Sequence, residues 1–140
     1  MLINIRILNP DDEALLMQAA DGVFDSRPDA QLTRQFIQDK HQHMAIAIHQ
    51  DRVIGMASAI NYSHPDKSPE LWVNEVGVCK TFRRRGIGRQ LLACLFDHAR
   101  EIGCQEAWVA TELDNKAARG LYRQQNGIEE SVVIYSFPLA

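Results

Sequence analysis

The run Val76-Gly77-Val78-Cys79-Lys80-Thr81-Phe82-Arg83-Arg84-Arg85-Gly86-Ile87-Gly88-Arg89-Gln90-Leu91-Leu92 constrains this chain more than any other. An apolar strand pattern passes through a basic, glycine-spaced turn into a periodic helix. Gly86 and Gly88 let the backbone approach a ligand with no Cβ in the way. The free N–H groups of the following helix's first turn carry the positive end of its dipole. Such a turn suits a pyrophosphate. It is not a P-loop, because Arg89 stands where Gly-Lys-Ser/Thr would continue, and not a dinucleotide fingerprint, because Leu91 replaces the third glycine. For an isolated Arg-x-x-Gly-x-Gly, a solvated basic corner on an ordinary strand-turn-helix is the competing interpretation.

The rest of the chain punctuates itself around this unit. Leu2–Leu8 alternates as a strand, and Asn9-Pro10 supplies an N-cap and an N1 proline for a first helix with Leu15, Leu16 and Ala19 inward, closed at Gly22. A second helix is predicted over Asp29–Lys40, with Leu32 and Phe36 on one face. Met44–Ile48 and Val53–Ile60 read as a hairpin about Gln50-Asp51-Arg52, Asn61–Pro69 as a loop, and Leu71–Val78 as the strand entering the basic turn. Ile87, Leu91, Leu95, Ala99 and Ile102 give the next helix its buried stripe, and Gly103 ends it. Ala107–Ala110 forms a further strand, Asn115–Gln125 the last helix, and Ile128–Leu139 one or two closing strands. There are no repeats, low-complexity tracts or linkers.

Bulk properties narrow the field. With 140 residues the chain is one domain's worth, 1–140, able to bury about two-thirds of the surface its unfolded form exposes. Eighteen acids against fifteen bases, a net charge of −3, argue against general nucleic-acid binding, which needs a surplus of cations. The three cysteines, Cys79, Cys94 and Cys104, form no C-x-x-C pair and have no zinc spacing to histidine, so free thiols in a reducing compartment, the cytoplasm, are expected, with no metal. His41, His43, His49, His64 and His98 are scattered without metal spacing, and His64 sits in the loop before the Glu75 strand. No apolar run approaches the ~20 residues of a membrane span, so a soluble protein is expected.

A second motif lies downstream: Asn115-Lys116-Ala117-Ala118-Arg119-Gly120-Leu121-Tyr122, with a helix-ending turn at Asn126-Gly127. Together with Arg83-x-x-Gly86-x-Gly88 it resembles the two signature motifs of the GCN5-related N-acetyltransferases (GNAT), in the same order and over nearly the whole chain. The family's turn glycine falls on Asn126, a residue that tolerates the left-handed conformation. The resemblance implies an α/β (α+β) fold with a mixed, largely antiparallel six- to seven-stranded sheet and about four helices. In that fold the strands at Leu71–Val78 and Glu106–Thr111 run parallel and splay apart, opening a slot for the pantetheine arm of acetyl-CoA.

By the same resemblance, the backbone of Val76, Gly77 and Val78 and the turn Arg83, Arg84, Arg85, Gly86, Ile87, Gly88 and Arg89 bind acetyl-CoA, with Asn115, Ala118 and Tyr122 along its arm. Acetyl transfer from a thioester to an amine needs a neutral amine, stabilisation of an oxyanion, and a proton for the leaving thiolate. Tyr122 is the candidate acid, and a core tyrosine packed beside Leu121 is the other interpretation. Glu75 is the candidate base through water, or else a carboxylate paired with an arginine or sitting at a wet cleft edge. Strict alternation along the strand puts Glu75 on one face with Leu71, Val73 and Gly77. Asn115 contacts the cofactor arm or caps its own helix.

The acceptor is the least legible part. Acids in the loops Asp21–Asp29, Asn61–Glu70 and Glu112–Asp114, with Glu129-Glu130, lie near the expected cleft and suit a polycationic small-molecule amine or equally a solvated rim, with Asp25, Glu75 and Glu112 the candidate acceptor contacts. Asn74–Val78, Arg83–Gly88 and Gly127–Glu130 look like the aminoglycoside 3-N-acetyltransferase branch. Enzymes that acetylate polyamines or protein N-termini share both motifs, and a non-catalytic acyl-CoA sensor would keep the cradle without needing Glu75 and Tyr122. The resemblance also admits a homodimer, with the apolar closing strands paired across a two-fold axis.

Overall fold

The computed structural model describes residues 2–140. Its sheet has the order β1-β2-β3-β4-β5, formed by Asn4–Ile7, Gln42–His49, Arg52–His64, Lys67–Val78 and Glu106–Trp108. Neighbours are antiparallel except β4 and β5, which are parallel, as the resemblance implied. The helices are α1 (Glu13–Met17), α2 (Ala30–Gln38), α3 (Ile87–Glu101) and α4 (Lys116–Gln124). Helix α3 packs on β1–β4 and buries Leu91, Leu92 and Leu95 completely. Gly55 lets it close in, since a Cβ there would stand 3.2 Å from Leu91 Cδ1.

The β2–β3 hairpin turns through Gln50 and Asp51, both with positive φ, a two-residue connection whose twist matches its strands. The stretch expected as a loop at Asn61–Pro69 is mostly strand: β3 runs to His64, a tight turn at Pro65-Asp66 follows, and His64 pairs with Lys67. Here the hairpin outruns the core, so its side chains are polar while its backbone stays paired. Polarity signalled exposure, not loop.

Other expectations need correction. Asn9-Pro10 opens a 3-10 turn at Pro10–Asp12 before α1, and α1 stops at Met17, well short of Gly22. The reason is the sheet: the Ala20 N–H donates to the Val53 carbonyl at 2.9 Å and draws the chain off the helix axis. In α2, Leu32 is 65% exposed and Thr33 is the buried residue, so the stripe is rotated from the one expected. Among the described residues the closing strands are absent: 128–140 are exposed and join no strand ladder, leaving five strands instead of six or seven.

One polar cluster pins the entry to α1. Arg6 clamps Asp12 with Nη1 and Nη2 at 2.6 and 2.8 Å, and Asp12 also accepts the Asn9 N–H at 2.7 Å. The Arg6 hydrogen bonds hold the Asp12 carboxyl below its ordinary range despite burial. A lowered native value means stability that is complete above the unfolded-state pKa of about 4 and is lost as pH falls through the native one. Asp12→Ala should therefore cost about 2 kcal/mol at pH 7, from the lost charge-assisted bonds and cap. In urea titrations its deficit should shrink as pH drops towards 3; a deficit independent of pH would contradict this.

Candidate active site

Strands β4 and β5 pair over Glu70–Trp72 and Glu106–Trp108 and then separate. Beyond that point the outer edge of β4, Val73–Val78, has no strand partner among the described residues. N–H directions alternate along a strand. The Cys79 N–H donates inward to Ile54 of β3 at 2.8 Å, so Val76 and Val78 turn their N–H groups outward, into the gap. The Val78 carbonyl faces the same way and accepts Arg83 Nε at 2.9 Å. The unpaired edge of β4 lies where the resemblance puts the slot, and it carries peptide donors.

Glu75 is not where strict alternation puts it. Ser58 pairs with Glu75 but its neighbour Ala59 pairs with Val73, leaving Asn74 as an extra residue in β4. Cross-strand partners share a face, so this bulge turns Glu75 away from Leu71 and Val73 and keeps it only with Gly77. Leu71 and Val73 are buried, whereas Asn74 and Glu75 are exposed. Among the described residues Glu75 makes no hydrogen bond or ion pair, which removes the arginine-paired alternative. It stands on the side of the sheet covered by the α1–α2 loop, whose Val23 carbonyl lies where a Gly77 Cβ would be. Nothing in single-sequence periodicity announces the bulge.

At the end of β4 the chain makes a 3-10 turn, Lys80–Phe82, and then the exposed arginine corner. Arg84 and Gly86 both have positive φ, 63° and 75°, and Gly86 leads into α3 as its N-cap with no side chain capping the helix. Arg85 lies over the Phe82 ring at 5.2 Å. Ile87 sends its side chain into the core, 3% exposed, so only its backbone is available to a ligand. A Cβ on Gly88 would stand 3.3 Å from Leu121 Cδ2 and 3.9 Å from Val76 Cγ1. This glycine is where the start of α3, α4 and β4 meet. Uncapped helix N–H groups, absent side chains and surrounding arginines make a cradle that fits a pyrophosphate.

Helix α4 supplies Tyr122, half-buried against the core, with burial pushing its phenol pKa up. No hydrogen bond engages its hydroxyl among the described residues. Asn115 caps α4, its Oδ1 accepting the Ala118 N–H at 3.1 Å, so both groups named for the cofactor arm are engaged in the helix start. Asn126 takes φ 64°, and the Gly127 N–H returns to the Tyr122 carbonyl at 3.0 Å, which confirms asparagine as the turn residue.

Asp25 lines a cavity of about 790 Å³ with Asp21, Arg27, Asp51 and Arg52, formed by the α1–α2 loop and the β2–β3 turn. Asp51, from that turn, was not foreseen. Neither Glu75, Tyr122 nor the arginine corner lines this cavity, although Gly22 and Phe24 in its wall flank the Val23 that packs on Gly77. Glu112 lies exposed between β5 and α4, its carbonyl accepting the Asn115 N–H, and does not join Asp25. His64 ends β3 and stacks edge-on against Tyr62. Among the described residues no group of three His, Cys, Asp or Glu side chains is placed to hold a metal, and no helix is long and apolar enough to cross a membrane.

The fold recurs in solved structures. An aminoglycoside acetyltransferase from an uncultured soil metagenomic sample, in complex with sisomicin, superposes with a TM-score of 0.89 over 99% of this chain and 97% of its own, at 19% identity. The aminoglycoside N-acetyltransferase AAC(6')-Iy, bound to a CoA-S-monomethyl-acetylneamine bisubstrate analog, gives 0.81 over 99% of both chains at 23%. A ribosomal-protein-alanine N-acetyltransferase from Brucella melitensis biovar Abortus 2308 gives 0.75 over 97% of this chain and all of its own, at 20%. In sequence, the N-alpha-acetyltransferase 30 of Schizosaccharomyces pombe is 26% identical over 91 residues, 65% of this chain and 61% of that protein. Residues 11–128 match the model of the acetyltransferase (GNAT) family, and the chain belongs to that family.

Proposed function

We propose that residues 1–140 form one catalytic domain that moves an acetyl group from acetyl-CoA to a primary amine by direct transfer, with an aminoglycoside as acceptor. The observation that carries this is the unpaired edge of β4 running straight into the uncapped, glycine-spaced start of α3. When bound, acetyl-CoA supplies an acyl carbon activated as a thioester. The outward N–H groups of Val76 and Val78 hold its arm and polarise the carbonyl. Arg83, Arg84, Arg85 and Arg89 offset pyrophosphate charge beside the N–H groups of α3. Tyr122 holds the proton for the departing sulfur, and Glu75, exposed and unpaired, takes the amine proton through water.

Aminoglycosides are polycations, and Asp21, Asp25 and Asp51 around the neighbouring cavity suit them. The 3-amino group is the position given by the sequence resemblance, whereas one structural neighbour is of the 6' type. Acetylation of such a drug would make the protein a resistance determinant. The three free thiols support a cytoplasmic location, and the exposed apolar C-terminal segment supports a homodimer. A specific observation favours protein N-termini as the second reading: the curated relative is an N-alpha-acetyltransferase.

The test is CoA release from acetyl-CoA, followed with a thiol reagent, against aminoglycosides, polyamines and N-terminal peptides, with NMR of the product. Rapid release with an aminoglycoside and a 3-N-acetyl product is expected. A 6'-N-acetyl product would overturn the position alone, and release with peptides only would transfer the assignment to protein N-termini. No release from any acceptor, with acetyl-CoA still bound, would leave a sensor.

A further inference from the structure

Two histidines outside the acetyl-transfer site meet between α3 and the sheet. His98, near the C-terminal end of α3, donates from Nε2 to Nδ1 of His43 on β2 at 3.0 Å. His43 in turn donates from Nε2 to Oδ1 of Asn61 on β3 at 2.6 Å. An amide oxygen only accepts, which keeps the His43 proton on Nε2 and leaves its Nδ1 bare to receive His98. The two rings are tilted by 57° with centroids 4.9 Å apart, and all three residues are half-buried.

The surroundings offer little to hold added positive charge. On α3, Glu101 lies one turn beyond His98 and favours its charged form, Asp97 is tied to Arg100 at 3.0 Å, and burial pushes the Cys94 thiol up so that it stays neutral. The β4 residue in line with His43 and Ala59 is the buried Val73. Arg6, the charged residue of β1, is committed to Asp12, and His41 precedes β2 with its N–H held by the Asp39 carboxylate. Beside the pair lies a cavity of about 190 Å³, walled by Ile7, Leu8, Phe36, Ile37 and Met44 among others, with no Asp or Glu among its described lining residues. Burial, and then the neighbouring His43, lowers the His98 pKa, with Glu101 opposing.

We propose that the His43–His98 pair is an acid-released clasp, which fastens α3 to β2 and β3 while the two rings hold at most one added proton and opens when both are charged. One added proton goes to Nδ1 of His98, and both hydrogen bonds survive. The next must go to Nδ1 of His43, the nitrogen that accepts. Two N–H groups then face each other between like-charged rings, and no bond is left to make. A lowered native pKa means stability that is complete above the unfolded-state value of about 6.5 and is lost as pH falls through the native one. The release acts on the helix that begins at the glycine-spaced cradle.

The test compares the full chain with His98→Gln, whose amide can donate to a neutral His43 or accept from a charged one. Urea unfolding and native-state hydrogen exchange are followed at pH 7.5 and pH 5. After correction for the intrinsic chemistry of exchange, amides of residues 95–101 and 43–46 in the parent should exchange about tenfold faster at pH 5, with a lowered urea midpoint. In the variant their exchange should change by less than about twofold. His43→Gln keeps hydrogen-bonding groups for both His98 and Asn61, should show the same insensitivity, and decides the matter if the first variant fails to fold. Parent and variants that lose protection in parallel would overturn the proposal, because groups elsewhere would then carry the acid response. So would a parent whose α3 is equally protected at both pH values. None of these outcomes depends on turnover.

Discussion

Tyr122→Phe is expected to lower kcat by about 10²-fold with little change in KM for either substrate, the usual scale for losing a positioned proton donor. The substitution removes one oxygen from a side chain whose ring packs against the core and whose hydroxyl makes no hydrogen bond among the described residues, so folding should be unaffected. Burial raises the phenol pKa above its ordinary value near 10, which keeps the donor protonated over a wider alkaline range. The parent's kcat should therefore show no loss of the acid between about pH 7 and pH 10, falling only above that. Turnover by the phenylalanine variant equal to the parent's would remove Tyr122 from the chemistry and leave it a packing residue.

The second large effect is on the fold. A Cβ on Gly77 would lie 2.1 Å from the Val23 carbonyl oxygen, a backbone atom that cannot swing aside. Gly77→Val must lift the α1–α2 loop off β4, and overpacking against backbone here should cost about 3 kcal/mol or more, a large share of a domain's stability. Urea unfolding would show it as a lowered midpoint. The same displacement should raise KM for the acceptor, because that loop walls the cavity at Asp25 and covers the Glu75 side of the sheet. A midpoint within error of the parent would mean the loop yields freely, and the close approach would carry no weight.

Much of this was legible because it is local. The strand-to-turn-to-helix transition at Val76–Leu92 is written in the change of apolar period, whereas the left-handed conformation of Gly86 appears only in the structure. Asn126 could be assigned as a turn residue because the family's turn glycine falls on it and asparagine tolerates the left-handed conformation. The parallel pairing of β4 with β5 followed from family resemblance, not from any pattern in the residues. What failed, failed where tertiary contacts compete with local preference. The Ala20 N–H leaves the first helix because a β3 carbonyl is available to it, and Leu32 faces water because Thr33 takes the inward position.

The site divides in the same way. Candidate residues Arg83 to Arg89 and Tyr122 sit on short motifs, so their residue types could be read in order. The setting of Glu75 could not, because a single unpaired residue, Asn74, reverses which face every later side chain of β4 occupies. Nor could it be read that Asn115 and the Ala118 N–H satisfy each other, or that Asp51 comes round beside Asp25.

Taken alone, the sequence determined the order of the elements as far as the last helix and the strand-turn-helix unit at Val76–Leu92, set by interactions between residues close along the chain, while Tyr122 came as a candidate donor from the resemblance. Tertiary structure alone decided the number of strands, the face of Glu75, the separation of Asp25 from Glu112 and the exposure of residues 130–140. Each of these depends on which distant backbone groups find partners, and a backbone N–H or carbonyl looks the same in every residue.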